Sequence, residues 1–86
     1  MTTQILVRYD HGDAAAFRRA FDADAEDRGN NGLTLLQLWR EGASTSWALY
    51  QSGNAARARD YLSGAAGVFN AQGGVTATEV HVLETA

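Results

Sequence analysis

Four short, largely apolar stretches of this chain read as strands, and in two others apolar residues recur at helical spacing. Gln4 to Tyr9 is β-branched in part and aromatic at its end, which predicts a strand closing at Asp10-His11-Gly12-Asp13. Asp13 is placed to cap a helix that begins at Ala14. Phe17, Ala20, Phe21 and Ala25 then form an apolar stripe, and Arg18, Arg19, Asp22, Asp24, Glu26 and Asp27 fill the other face. The helix is expected to stop near Arg28-Gly29-Asn30-Asn31-Gly32, where Gly and Asn tolerate the left-handed turn that closes a helix.

Leu33 to Arg40 and Ser46 to Gln51 read as two strands of a hairpin joined by Glu41-Gly42-Ala43-Ser44-Thr45. Asn54 caps a second helix with the stripe Ala55, Ala58, Tyr61 and Leu62. Ser63-Gly64 is expected to interrupt it, and Ala65, Val68 and Phe69 carry it on to Gln72-Gly73-Gly74. In the last strand, Val75 to Leu83, Thr76, Thr78, Val80 and Val82 alternate with Glu79, His81 and Leu83.

The order β-α-β-β-α-β defines an α+β, ferredoxin-like fold: a four-stranded antiparallel sheet with both helices on one face. Strict alternation along the second strand would send Leu33 and Leu35 to one face and Leu36 and Leu38 to the other. Two helices cover only one face, so the second apolar face is expected to pack on another sheet, giving a sheet-to-sheet homodimer.

Eighty-six residues make a single domain, 1–86, by length. Of its apolar residues 16 are Ala, which leaves a thin core and adds to the case for association. With no Cys, Lys or Pro, the chain excludes disulfides, thiolate metal sites, a thiol nucleophile, a Schiff-base lysine and the lysine-bearing phosphate loop. A net charge of -3 argues against nucleic acid as a partner. No apolar run reaches membrane length and the amino terminus has no export signal, so no membrane partner and a cytoplasmic location are expected.

The segments Leu6-Val7-Arg8-Tyr9, Phe21-Asp22, Trp39-Arg40, Ala58-Arg59-Asp60-Tyr61-Leu62 and Val82-Leu83-Glu84 resemble the dimeric α+β barrel superfamily across almost the whole chain. The likeness is greatest to its uncharacterised small bacterial members. That resemblance implies the fold and the dimer more than any reaction, since the superfamily includes cofactor-free monooxygenases, haem-degrading enzymes and lactone isomerases. The haem-handling members place a His on the second helix, whereas the two His here are His11 and His81.

His11 stands between Asp10 and Asp13, a set that could hold a metal; the plainer expectation is a solvated His at a strand end with Asp13 as cap, and no metal site is assigned. His81 shares a strand face with Glu79, which can fix its tautomer; it is read first as a core or interface residue and second as a proton acceptor. Arg8 is expected to pair with Glu79 across the neighbouring strand, with an anion clamp as the alternative. Trp39 and Tyr50, toward strand ends, are the aromatic residues best placed to line a pocket.

The resulting expectation is a homodimer that binds an aromatic or polyketide-like metabolite between sheet and helices, without a cofactor. Two alternatives stand beside it. One is a cofactor-free monooxygenase or isomerase in which His81 takes a proton and Arg8 stabilises the oxyanion; the other is a dimerisation or regulatory module without a pocket.

Overall fold

The structure is a computed structural model that describes residues 3–62 and 67–85. Its elements in chain order are β1 (Thr3–His11), α1 (Ala14–Ala23), α2 (Ala25–Asn30), β2 (Leu33–Glu41), β3 (Thr45–Ser52), α3 (Ala55–Asp60), α4 (Gly67–Gly73) and β4 (Val75–Glu84). The expected helix interruption at Ser63-Gly64 lies outside the described residues, as do Ala65 and the side chains of Val68 and Phe69. No helix among the described residues is long and apolar enough to cross a membrane.

Strand order is β2-β3-β1-β4, all antiparallel, which is the α+β ferredoxin-like arrangement. Both expected caps form: Asp13 Oδ1 accepts from the Ala15 amide at 2.9 Å, and Asn54 Oδ1 accepts from the Arg57 amide at 3.1 Å. Each satisfies an amide that has no partner within its own helix. Gly32 and Gly74, with φ of +81° and +66°, turn the chain from a helix into the next strand, a conformation that side chains with a Cβ resist.

The alternation of β1 sends Ile5, Val7, Tyr9 and His11 to the helix side. There Ile5, Val7 and Tyr9 join Ala48 and Tyr50 of β3, Leu33 of β2, Phe17, Ala20 and Phe21 of α1, and Ala58, Tyr61 and Leu62 in one core. Three expectations need correction. The first helix is broken at Asp24 into α1 and α2, and Ala25 is exposed. Asp24, placed with the solvated residues, is instead largely buried because it takes the Tyr61 hydroxyl and faces Arg28. A bulge between Leu35 and Gln37 shifts the β2 register, so Leu38 pairs with Ala48 on the helix side and packs on the core rather than on the open face.

The open face is apolar nonetheless, through different residues. The registers place Leu6, Trp47 and Leu49 there beside Trp39 and Leu83, which are 45% and 44% exposed. Arg8, Glu79 and His81 lie among them.

Candidate functional site

Polar groups gather in three places: a cleft at one end of the helix side, the interior beneath the helices, and the open face of the sheet. The cleft has a volume of about 320 Å³ and is lined by Ala14, Phe17 and Arg18 of α1, Leu38, Trp39 and Arg40 of β2, and Ser46 of β3. Phe17 and Leu38, core-facing positions at the edge of the packed interior, give it an apolar wall, while the rest of its lining is largely polar. Arg40 and Ser46 are direct partners across the β2–β3 ladder, so both side chains leave the sheet on the same face. Arg18 is held by Asp22 at 3.0 Å, one helical turn on, whereas Arg40 makes no ion pair among the described residues.

Behind the cleft lies His11, only 3% exposed. Its ring stacks on Phe17 with centroids 4.3 Å apart and planes at 14°, its Nε2 is 2.9 Å from Ser46 Oγ, and its Nδ1 is 3.3 Å from the Gly12 carbonyl. This corrects the solvated His expected from the sequence. The β1 strand continues through His11, and strand alternation turns the ring inward with Tyr9 and Val7. The three groups weighed for a metal do not converge either. Asp13 caps α1, while the Asp10 carboxylate takes Arg8 at 3.1 Å and the Thr45 hydroxyl at 3.1 Å on the opposite face.

Inside the domain core, the Tyr9 and Tyr50 hydroxyls are 2.8 Å apart, and the Tyr61 hydroxyl donates to Asp24. Arg28 is 3.8 Å from the same Asp24 carboxylate, donates to the Phe21 carbonyl at 2.6 Å and lies over the Phe21 ring at 3.8 Å. Burial pushes the Tyr50 phenol up from 10.0 to about 12 and raises Tyr9 well above its ordinary value; Tyr61 rises through burial and the Asp24 carboxylate beside it. Folding therefore favours the neutral phenols. Their contribution to stability is full below the unfolded value of 10.0 and is lost as pH climbs through the folded values toward about 12 and above. Thermal melts followed by circular dichroism are expected to hold their midpoint up to about pH 10 and then fall steeply. A midpoint flat through pH 12 would contradict the buried phenols.

On the open face, Arg8 stands directly across from Glu79, as expected from the neighbouring strands, with 3.7 Å between their charged groups. His81 Nε2 is 2.9 Å from Glu79 Oε1, so the predicted pair meets. This cluster is solvated, His81 being 43% exposed.

The structure thus divides the sequence candidates. Arg8 and His81 come together on the open face; Tyr50 lies in the core with its hydroxyl on Tyr9; Trp39 pairs with Trp47 at the edge where the cleft opens. Arg40, Ser46 and His11 were not assigned to a site from the sequence. The only signal for them was periodic: His11 continues the inward alternation of Val7 and Tyr9, which an assumed strand end at Tyr9 concealed.

Comparison with known proteins agrees with this architecture. No protein-family model matches the chain, and no curated protein matches it. Among solved structures, a protein of unknown function from Nitrosomonas europaea is 20% identical, with a TM-score of 0.66 over 99% of this chain and 91% of that one. SnoaB, a cofactor-independent oxygenase from Streptomyces nogalater, is 18% identical, with a TM-score of 0.64 over 99% of this chain and 92% of that one. A dimeric ferredoxin-like protein from an uncultured marine organism is 9% identical, with a TM-score of 0.55 over 99% and 90%. The chain shares with these structures an α+β ferredoxin-like fold. At these identities the likeness establishes the fold and leaves the activity to the site.

Proposed function

We propose that the protein is a homodimer that binds a planar organic anion, aromatic or polyketide-like, in the cleft between α1 and the β2–β3 hairpin. The observation that carries this reading is Arg40, a guanidinium without an ion-pair partner among the described residues, set across the ladder from Ser46 in a cleft with one apolar wall. Phe17 and Leu38 supply a surface for a ring, and Arg40 supplies the counter-charge. A volume of about 320 Å³ suits one or two fused rings.

The dimer forms sheet to sheet. Its support is the exposed apolar row of Trp39 and Leu83 beside Leu6, Leu49 and Trp47, together with the dimeric state of the ferredoxin-like protein of the same fold. Native mass spectrometry of gently purified protein tests both parts. A dimer that gains the mass of added 1-hydroxy-2-naphthoate is the expected result, and Arg40→Gln should weaken that binding roughly tenfold, the scale of one charge-assisted hydrogen bond. A bare monomer overturns the dimer; a dimer that ignores the naphthoate leaves a dimerisation or regulatory module.

A second reading is a cofactor-free oxygenase or isomerase with His81 as proton acceptor and Arg8 as oxyanion stabiliser. The fixed His81–Glu79 contact and the fold shared with a cofactor-independent oxygenase favour it. It requires His81→Ala to abolish turnover of a polyphenol while the melting midpoint and the dimer stay unchanged.

A further inference from the structure

We infer that His11 and Ser46 form a proton relay into the cleft, so that the ligand class is an aromatic or enolic compound with an acidic hydroxyl, bound as its anion. This inference rests on the cleft being the ligand site and names the chemistry the cleft selects. The Gly12 carbonyl can only accept, so Nδ1 of His11 carries the ring proton toward it at 3.3 Å. Nε2 is then the acceptor, and the Ser46 hydroxyl donates to it across 2.9 Å. That leaves the lone pairs of Ser46 Oγ, on a residue that lines the cleft, as the only acceptor the relay offers to a bound hydroxyl.

The transfer moves one proton and no electrons. The ligand O–H bond breaks and its proton passes to Ser46 Oγ, while the original Ser46 proton passes to His11 Nε2. A phenolate or enolate remains in the cleft that Arg40 lines, and an imidazolium remains stacked on Phe17. Both products have a partner: the Arg40 guanidinium stabilises the anion, and the π-face of Phe17 favours the cationic ring. The groups around the imidazole are Phe17 from α1, Ser46 from β3 and Gly12 beyond its own strand; Arg18 and Arg40 are the charged groups of the cleft. The hydrogen bond that satisfies the buried imidazole thus runs to the hydroxyl of a residue that lines the cleft.

The test uses 4-nitrophenol, whose phenolate is yellow and whose phenol is not. At a pH below the free dye's own titration, dye bound to the native protein should show the phenolate band. Ser46→Ala should bind the dye as the phenol, with its titration midpoint returning by roughly one unit or more. His11→Gln should do the same, with a melting curve recorded to confirm that it is folded. Dye bound as the neutral phenol by the native protein, or a phenolate band unchanged in Ser46→Ala, overturns the relay. If 1-hydroxy-2-naphthoate binds and 4-nitrophenol does not, the relay alone fails; if neither binds, the cleft reading fails with it.

Discussion

Replacing Phe21 by Ala should remove about 3–5 kcal/mol of stability, the scale for deleting a buried aromatic ring. For a chain of this size the total is on the order of 4–13 kcal/mol, so the loss is a large fraction of it and the urea midpoint should fall steeply. Phe21 is 1% exposed and packs on the rings of Phe17 and Tyr9, with centroids 5.7 Å and 6.4 Å away. Its face also carries the Arg28 guanidinium at 3.8 Å. The truncation therefore opens a cavity and uncovers a buried cation together. Phe21→Leu refills most of the volume without the π-face and should lose less. Urea unfolding of the two variants separates the contributions; a Phe21→Leu variant as stable as the native protein would mean that the ring face contributes nothing.

The second large effect belongs to Arg28. Arg28→Met keeps an aliphatic stem over Phe21 but leaves the Asp24 carboxylate, which is 12% exposed, without its cation. Removing one member of a buried pair typically costs about 3–5 kcal/mol. The remaining partner of Asp24 is Tyr61, whose hydroxyl already donates to it. Adding Asp24→Asn to Arg28→Met removes the uncompensated charge, and the double variant should recover a large part of the loss. A double variant no more stable than Arg28→Met would show that the charge was never the problem. The pair sits at the break between α1 and α2, which falls at Asp24.

The strands and caps were legible because their signals are local. Val7 and Tyr9 alternate within one strand, and Asp13 and Asn54 sit just before apolar stripes at helical spacing. The neighbouring placement of β1 and β4 followed from the connectivity, and with it the pairing of Arg8 and Glu79. What the sequence concealed was non-local or irregular. The bulge after Leu35 inserts one residue and moves Leu38 to the opposite face, and nothing in Leu-Thr-Leu-Leu-Gln-Leu marks where that insertion falls. Arg28, next to Gly-Asn-Asn-Gly, reads as a solvated charge at a helix end; only the folded chain shows it lying on a ring seven residues earlier. The cleft was hidden for the same reason. Phe17 is far in the chain from Leu38 and Ser46, and Leu38 reaches the cleft only through the bulge.

Two faces of one sheet now carry separate polar groups, Arg40, Ser46 and His11 on the helix side and Arg8, Glu79 and His81 on the open side. The most direct measurement is a two-dimensional amide NMR titration with 1-hydroxy-2-naphthoate, because it reports which face the ligand occupies. The predicted result is a contiguous set of shifts at Ala14, Phe17, Arg18, Leu38, Arg40 and Ser46, with Arg8, Glu79, His81 and Leu83 unmoved. Shifts confined to those last four, or no shifts at saturating naphthoate, would contradict a ligand site in the helix-side cleft.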